Sequence, residues 1–142
     1  MADWRDKLGN FLEKAEQDKQ ESDVSDMARF VSDVAMPAFR ELAPELEKHG
    51  RTVTLREANE SASILVQFNG DEEITYRVQG RMFPNGVLPY AEVRQRERKG
   101  LRLVRVESML RSGAPDYVID DIEPGEVIAN FLEHYTSRVQ LV

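Results

Sequence analysis

From Trp4 to Ala15 the large apolar residues fall at Trp4, Leu8, Phe11, Leu12 and Ala15. They stand three and four apart, the spacing that gathers side chains on one face of an α-helix. This predicts a helix over residues 4–19. The polar run from Gln17 to Asp26 is expected to break it, with Ser22, Asp23 or Ser25 as the next N-cap. A second stripe, Met27, Phe30, Val31, Val34, Ala38, Leu42 and Leu46, predicts a longer helix over residues 26–48. Pro37 and Pro44 should kink or divide that helix, because proline has no backbone donor and its ring clashes with the preceding turn. Lys48-His49-Gly50 reads as its end.

After Gly50 the period changes from helical to two. Ala62, Ile64, Val66 and Phe68 alternate with Ser61, Ser63, Leu65 and Gln67, and Ile74, Tyr76 and Val78 alternate with Thr75, Arg77 and Gln79. Asn69-Gly70 between them is a hairpin signal. Strands are predicted near 51–56, 87–96 and 101–110, with turns at Asn85-Gly86 and Lys99-Gly100. The parity slips between Leu103 and Val104, where a bulge or a misjudged strand boundary is expected. Tyr117-Val118-Ile119 reads as a short last strand. Asp120-Asp121-Ile122-Glu123-Pro124 then starts a helix running to Arg138, with Val127, Ile128, Phe131, Leu132, Tyr135 and Val139 on its buried face. Ile64, Val66, Phe68, Ile74, Tyr76 and Val78 are expected to share one layer with Phe131, Leu132 and Tyr135.

The order predicts an α+β fold: two N-terminal helices, an antiparallel meander of five to six strands, and one C-terminal helix packed on one sheet face. Residues 1–21 read as an amphipathic helix and hinge, and residues 22–142 as a single α+β domain. A chain of 142 residues, 41% apolar and 32% charged, has the composition of a globular domain. It has no cysteine, which excludes disulfides, thiol nucleophiles and thiolate zinc sites. No apolar run is long enough to span a bilayer, and the start Met1-Ala2-Asp3-Trp4 lacks the pattern of a signal peptide, so a cytoplasmic protein without stable membrane insertion is expected.

Charge changes the picture in one place. The net charge is −7, yet residues 93–111 hold seven basic and two acidic side chains. The overall balance argues against a nucleic-acid binder. Arg94, Arg96 and Arg98 share one strand parity, Arg77 and Arg81 another, and Arg102 and Arg105 lie on the next strand. If the strands pair, these guanidinium groups could gather on one sheet face and bind an anionic ligand, an acidic partner or anionic lipid. The plainer reading is a solvated face paired across strands with Glu73, Glu92, Glu97 and Glu107, and charge runs usually mark such surfaces. Tyr76 and Tyr90 fall on the apolar parity, so stacking of bases is not expected.

Other candidate chemistry is thin. His49 sits at a helix end and His134 on the last helix, without the spacing of a zinc site, so surface or capping roles are expected for both. Asp116, Asp120, Asp121 and Glu123 could attract a cation but lack the EF-hand pattern, and N-capping explains three of the four. Ser112-Gly113 is no nucleophile elbow, and no Gly-rich phosphate loop occurs. No catalytic residue, metal or cofactor is expected. The first helix has an acidic polar face that anionic headgroups would repel. Its apolar residues Trp4, Leu8, Phe11 and Leu12 are therefore expected to pack on protein, more plausibly on a second subunit than on their own domain.

Phe30-Val31-Ser32-Asp33-Val34-Ala35-Met36-Pro37-Ala38-Phe39, followed by Leu42, Leu46 and Gly50, resembles the start of the cytosolic C-terminal domain of choline transporters of the betaine/choline/carnitine transporter family. Asp116-Tyr117-Val118, then Val127-Ile128-Ala129 and Tyr135, is similar to the end of that domain, and the hairpin with Tyr76 fits in length and order. The resemblance covers residues 27–140 and implies a freestanding regulatory domain. The transporters' membrane portion has no counterpart here, so no choline-binding aromatic box and no catalytic residue is carried over. The expected function is a non-enzymatic regulatory or protein-interaction domain, a homodimer, binding an unknown protein or small anionic ligand through Arg77, Arg81, Arg94, Arg96, Arg102 and Arg105. The alternative is a type III secretion chaperone-like acidic dimer that binds an effector protein. Size, acidity and mixed α/β content fit that alternative, but those chaperones place a helix between their strands. An enzyme whose pocket uses no known motif is the third reading.

Overall fold

A computed structural model of the chain describes residues 3–96 and 103–138, with the backbone alone for Arg96 and Arg138. The order is α1 (Trp4–Phe30), one π-helical turn (Val31–Ala35), α2 (Met36–Lys48), strands β1 (Thr52–Glu57), β2 (Ala62–Phe68), β3 (Asp71–Phe83), β4 (Gly86–Arg96) and β5 (Leu103–Met109), a 3-10 turn (Ile119–Asp121) and α3 (Pro124–Arg138). The fold is α+β. The strands form one antiparallel sheet in the order β1-β2-β3-β4-β5, each paired with its neighbours in sequence.

The helical part departs from expectation at its centre. Asp3 caps α1 by accepting from the Arg5 amide at 3.2 Å, and α1 then runs unbroken through the polar stretch 17–26. That stretch holds no proline or glycine, and its glutamine, lysine and glutamate residues are good helix formers. A loss of apolar periodicity there ends burial and not the helix. Pro37 does act on the backbone. The π turn falls just before it, with the Met36 amide donating to the Val31 carbonyl. The wider turn accommodates a ring that would otherwise meet the carbonyl of Asp33. Pro44 stays inside α2, which ends in a Schellman pair: the Arg51 amide donates to Leu46 O at 3.2 Å and the Gly50 amide to Glu47 O at 3.0 Å.

In the sheet, Asn69 and Gly70 both adopt positive φ (52° and 82°), as a two-residue type I′ hairpin requires. The β2–β3 register shifts between Val66 and Gln67, so Val66 opposes Ile74 but Gln67 opposes Glu72. Glu73 is the extra residue. The β4–β5 register holds steady from Tyr90↔Met109 to Arg96↔Leu103. The bulge expected at Leu103 is therefore absent: Leu103 simply points to the solvent side, exposed. The Lys99-Gly100 turn and Leu101 lie outside the described residues, as does Val139. Residues 117–118 form no strand, because β5 is already the sheet edge and the chain turns into the 3-10 turn.

One sheet face carries the core. Ile64, Val66, Ile74, Tyr76, Val78, Ala91 and Val93 are buried there beneath Phe39 and Leu42 of α2 and Val127 and Phe131 of α3. Tyr76 sits edge-on to Phe39 (centroids 6.0 Å) and to Phe131 (5.5 Å), and Phe131 stacks on Tyr135 at 5.6 Å. The Tyr76 hydroxyl donates to Asn130 Oδ1 at 2.7 Å, and burial pushes its pKa far up. Phe68 and Leu132 are exposed, contrary to the shared layer expected of them. Phe68 lies at the hairpin end with the Arg51 guanidinium 4.0 Å from its ring, and Leu132 follows Phe131 by 100° around α3.

Two polar clamps fasten the edges. Glu73 turns to the helix side, where Arg51 grips both of its oxygens at 3.1 Å and the Tyr135 hydroxyl donates to it at 2.6 Å. Burial first, and then Glu73, push the Tyr135 pKa up to about 12. Glu73 is thus not a partner of the sheet arginines. Arg111 holds Glu126 at 2.6 and 3.2 Å and donates to the Asp121 carbonyl at 2.8 Å. The terminal body of α1 docks through Met27, which lies against Gly80 on β3. A Cβ on Gly80 would stand 2.7 Å from Val87 Cγ2 and 3.1 Å from Met27 Sδ. Among the described residues no helix is long and apolar enough to cross a membrane.

Tyr76→Phe should lower stability by about 1–3 kcal/mol, because it strands the buried Asn130 oxygen. Urea unfolding measures this, and an unchanged midpoint would mean that Asn130 is satisfied elsewhere. The Arg111 hydrogen bond holds the Glu126 pKa below its ordinary value of 4.5. That depressed carboxylate stabilises the fold above the unfolded value, and the contribution is lost as pH falls through the lower folded value. Arg111→Ala should therefore lower the unfolding midpoint slightly near neutral pH, the pair being largely screened by solvent, with the gap to the unsubstituted protein closing in acid. A gap that persists at the lowest accessible pH would assign the effect to the Asp121 carbonyl or to packing on Tyr117.

Candidate functional site

The opposite sheet face is where the sequence placed its chemistry. Strand alternation and register put Arg56, Ser63, Arg77, Glu92 and Glu107 in one cross-strand row, and Thr54, Leu65, Thr75, Arg94 and Arg105 in the next. Gln79, Tyr90 and Met109 form a third row, so Tyr90 lies on the arginine face and not on the apolar side expected of it, and Arg81 lies beyond it. Among the described residues no helix covers this face, and of the described side chains at this parity only Leu88 is buried. All the helical contacts lie on the Tyr76 side, because the apolar stripes of α2 and α3 and the Met27 end of α1 need that apolar layer.

The arginines are not equivalent. Arg81 is paired with Glu107 and lies 4.2 Å over the Tyr90 ring; the Glu107 hydrogen bond raises its pKa. Arg105 stands 3.6 Å from Glu92, which also accepts from Gln79 at 3.2 Å. Among the described residues Arg77 reaches only Ser61 Oγ, at 3.4 Å, and is exposed. Arg94 is half-buried; its Nε is shielded from water and makes no hydrogen bond, and the residue directly opposite is Arg105. Like charges facing each other across a ladder are destabilising. The face is therefore partly neutralised by its own glutamates and partly left cationic.

The structure brings Arg77, Arg81, Arg94 and Arg105 together on this face and sets the Arg96 backbone beside them, opposite Leu103. Arg98, Arg102 and Glu97 lie outside the described residues. Arg56, on the edge strand β1, belongs to the same face and was missed by sequence reasoning. The signal was there: Val53 and Leu55 fix the inward parity of β1, and Arg56 falls on the other.

The remaining candidates resolve into structure. His49 is the C-cap of α2, whereas His134 is buried on α3 beside Phe131 and Asn130 in sequence, and is neither a surface nor a capping residue. Asp121 Oδ2 accepts from the Val118 amide at 3.2 Å, Asp120 pairs with Arg29 at 3.3 Å, and the Glu123 amide is capped by Glu126 at 2.8 Å. Among the described residues no group of three or more histidine or acidic side chains could hold a metal ion. An open cavity of about 370 Å³ lies between Arg29, Asp33 and Asp120, floored by Phe30, Val34 and Ile119. Its arginine is already paired with Asp26 at 2.8 Å and with Asp120, and Asp33 accepts from the Ser32 hydroxyl at 3.1 Å.

Compared with known proteins, the chain matches no family model, no curated protein and no solved structure. The functional reading rests on this geometry alone.

Arg94→Thr should raise stability by about 0.2–1 kcal/mol, since it removes the like-charge pair with Arg105 and supplies a good strand former. Thermal unfolding at low salt checks this. A loss of stability would show that the aliphatic stem of Arg94 contributes more by packing than its charge costs.

Proposed function

We propose that this chain is a non-enzymatic interaction domain that docks an acidic protein partner on the open, arginine-bearing sheet face. The observation that carries this reading is the Arg94–Arg105 opposition on an uncovered face, where Glu92 relieves Arg105 but the shielded Arg94 Nε makes no hydrogen bond, with Arg77 and Arg56 beside it. An arrangement that destabilises the free protein is relieved when carboxylates arrive between the guanidinium groups. The interspersed Glu92 and Glu107 set a pattern for a protein surface and not a uniform field for a polyanion. Tyr90, already covered by Arg81, offers no free ring for stacking a base. The net charge of −7 also opposes nucleic acid.

The test is an NMR titration of the labelled protein with a short peptide rich in aspartate and glutamate, beside a single-stranded oligonucleotide as a second polyanion. Shifts should gather on Arg56, Arg77, Arg94 and Arg105. They should fade as salt rises and the screening length falls from about 10 Å at 0.1 M to about 3 Å at 1 M. Arg77→Glu with Arg94→Glu should abolish them while the inner-face signals stay in place. Shifts confined to the Arg29 cavity, or an oligonucleotide that binds as well as the peptide, would overturn the reading.

A further inference from the structure

Among the described residues the first two-thirds of α1 packs against no other element. Every side chain from Asp3 to Ser22 is exposed, with only Gly9 half-covered, and burial begins at Asp23. At 1.5 Å per residue this is a rigid arm about 28 Å long. Its apolar residues are among the most exposed in the protein: Trp4 at 64%, Phe11 at 69%, Leu12 at 53% and Leu8 at 48%. The body's own side of α1, Asp23, Met27 and Phe30, lies about a quarter turn around the helix from this stripe. The sheet that holds Met27 therefore cannot also cover Trp4 and Phe11.

We propose that this arm pairs antiparallel with the same arm of a second copy. Trp4, Leu8, Phe11 and Ala15 follow one another by four, three and four, the seam of a two-stranded coiled coil. Read forwards the seam is large, medium, large, small. Set antiparallel about an axis between residues 9 and 10, Trp4 meets the partner's Ala15 and Leu8 meets the partner's Phe11. Each layer then has nearly the same volume, which close packing demands. In a parallel pair Trp4 would meet the partner's Trp4 and Ala15 the partner's Ala15, one layer overfilled and one nearly empty. The antiparallel pair also opposes the helix dipoles. It holds the two bodies at opposite ends: Trp4 reaches the level of Ala15, and the body begins only at Asp23, about 12 Å further on.

The area fits a weak dimer. The two rings alone leave roughly 200–330 Å² in water, taking 150–250 Å² for a whole aromatic side chain. With both leucines, counted twice, the apolar burial approaches the lower limit of specific interfaces. The seam stops at Ala15, because Asp18 and Ser22 occupy the next two positions. A membrane surface is the poorer occupant: residues 3–22 carry six acidic and four basic groups.

Sedimentation equilibrium of the full chain from about 1 to about 200 µM spans the range in which so small an interface dissociates. The average mass should climb from 16.3 kDa towards twice that value. Phe11→Asp should hold the protein at the monomer mass without moving its thermal midpoint, since Phe11 supports nothing in the body. The chain has no cysteine, so orientation can be read by cross-linking. Trp4→Cys mixed with Ala15→Cys should give a disulfide-linked heterodimer on mild oxidation, and each variant alone should not. A monomer at every concentration, self-linking of Trp4→Cys, or a dimer that survives Phe11→Asp would each overturn the proposal. A dimer lost on Arg77→Glu would do so too, by placing the arm on a neighbour's arginine face.

Discussion

Tyr76 is the residue on which the arrangement of this fold depends. It occupies the central strand, wholly out of water, with Phe39 of α2 on one edge and Phe131 of α3 on another. A phenol in that position is tolerable only if its hydroxyl is satisfied, and Asn130 satisfies it. One side chain thus fixes both helices against the sheet and sets the rotation of α3. The Asn130 amide in turn donates to Ser108 on β5 at 3.3 Å, so the polar thread runs from the central strand through the helix to the sheet edge. Such a network specifies a single packing, because any slip of α3 leaves a buried polar group without a partner.

That commitment makes the sheet one-sided. A five-stranded sheet with the apolar stripes of α2 and α3 drawn to one face leaves the other to water, and its residues answer to solvent and to partners and not to packing. Here that face holds arginines in excess of the glutamates that neutralise them. The Glu73 bulge sharpens the division. By inserting one residue in β3 it sends Glu73 to the helix side, where Arg51 and Tyr135 use it, and sets Glu72 beside Thr75 on the other face.

The two exposed features, cationic face and projecting arm, are separate in place and in physics. The face is electrostatic and responds to salt, whereas the arm is apolar and acts by removing area from water. Pairing through the arms would leave both arginine faces free, so a dimer could present two of them to one partner and gain avidity without new contacts.

Much of this was legible in the residues. The period-two runs, the Asn69-Gly70 turn and the stripe of α3 each follow from local chemistry: alternation needs a face to bury, and a type I′ turn needs positive φ at both positions. They determined the α+β class, the meander and most of the core, and the parity of Arg77, Arg81 and Arg94 grouped the cationic face apart from it. The continuity of α1 was misread, because a polar run shows where burial stops and not where a helix does. Only the tertiary structure decided that β5 ends the sheet, that Glu73 faces the helices and Arg94 faces Arg105, and that Phe68 and Leu132 escape burial. Each depends on which strand stands opposite and how far a helix reaches, and such distances arise from packing between segments remote in the chain.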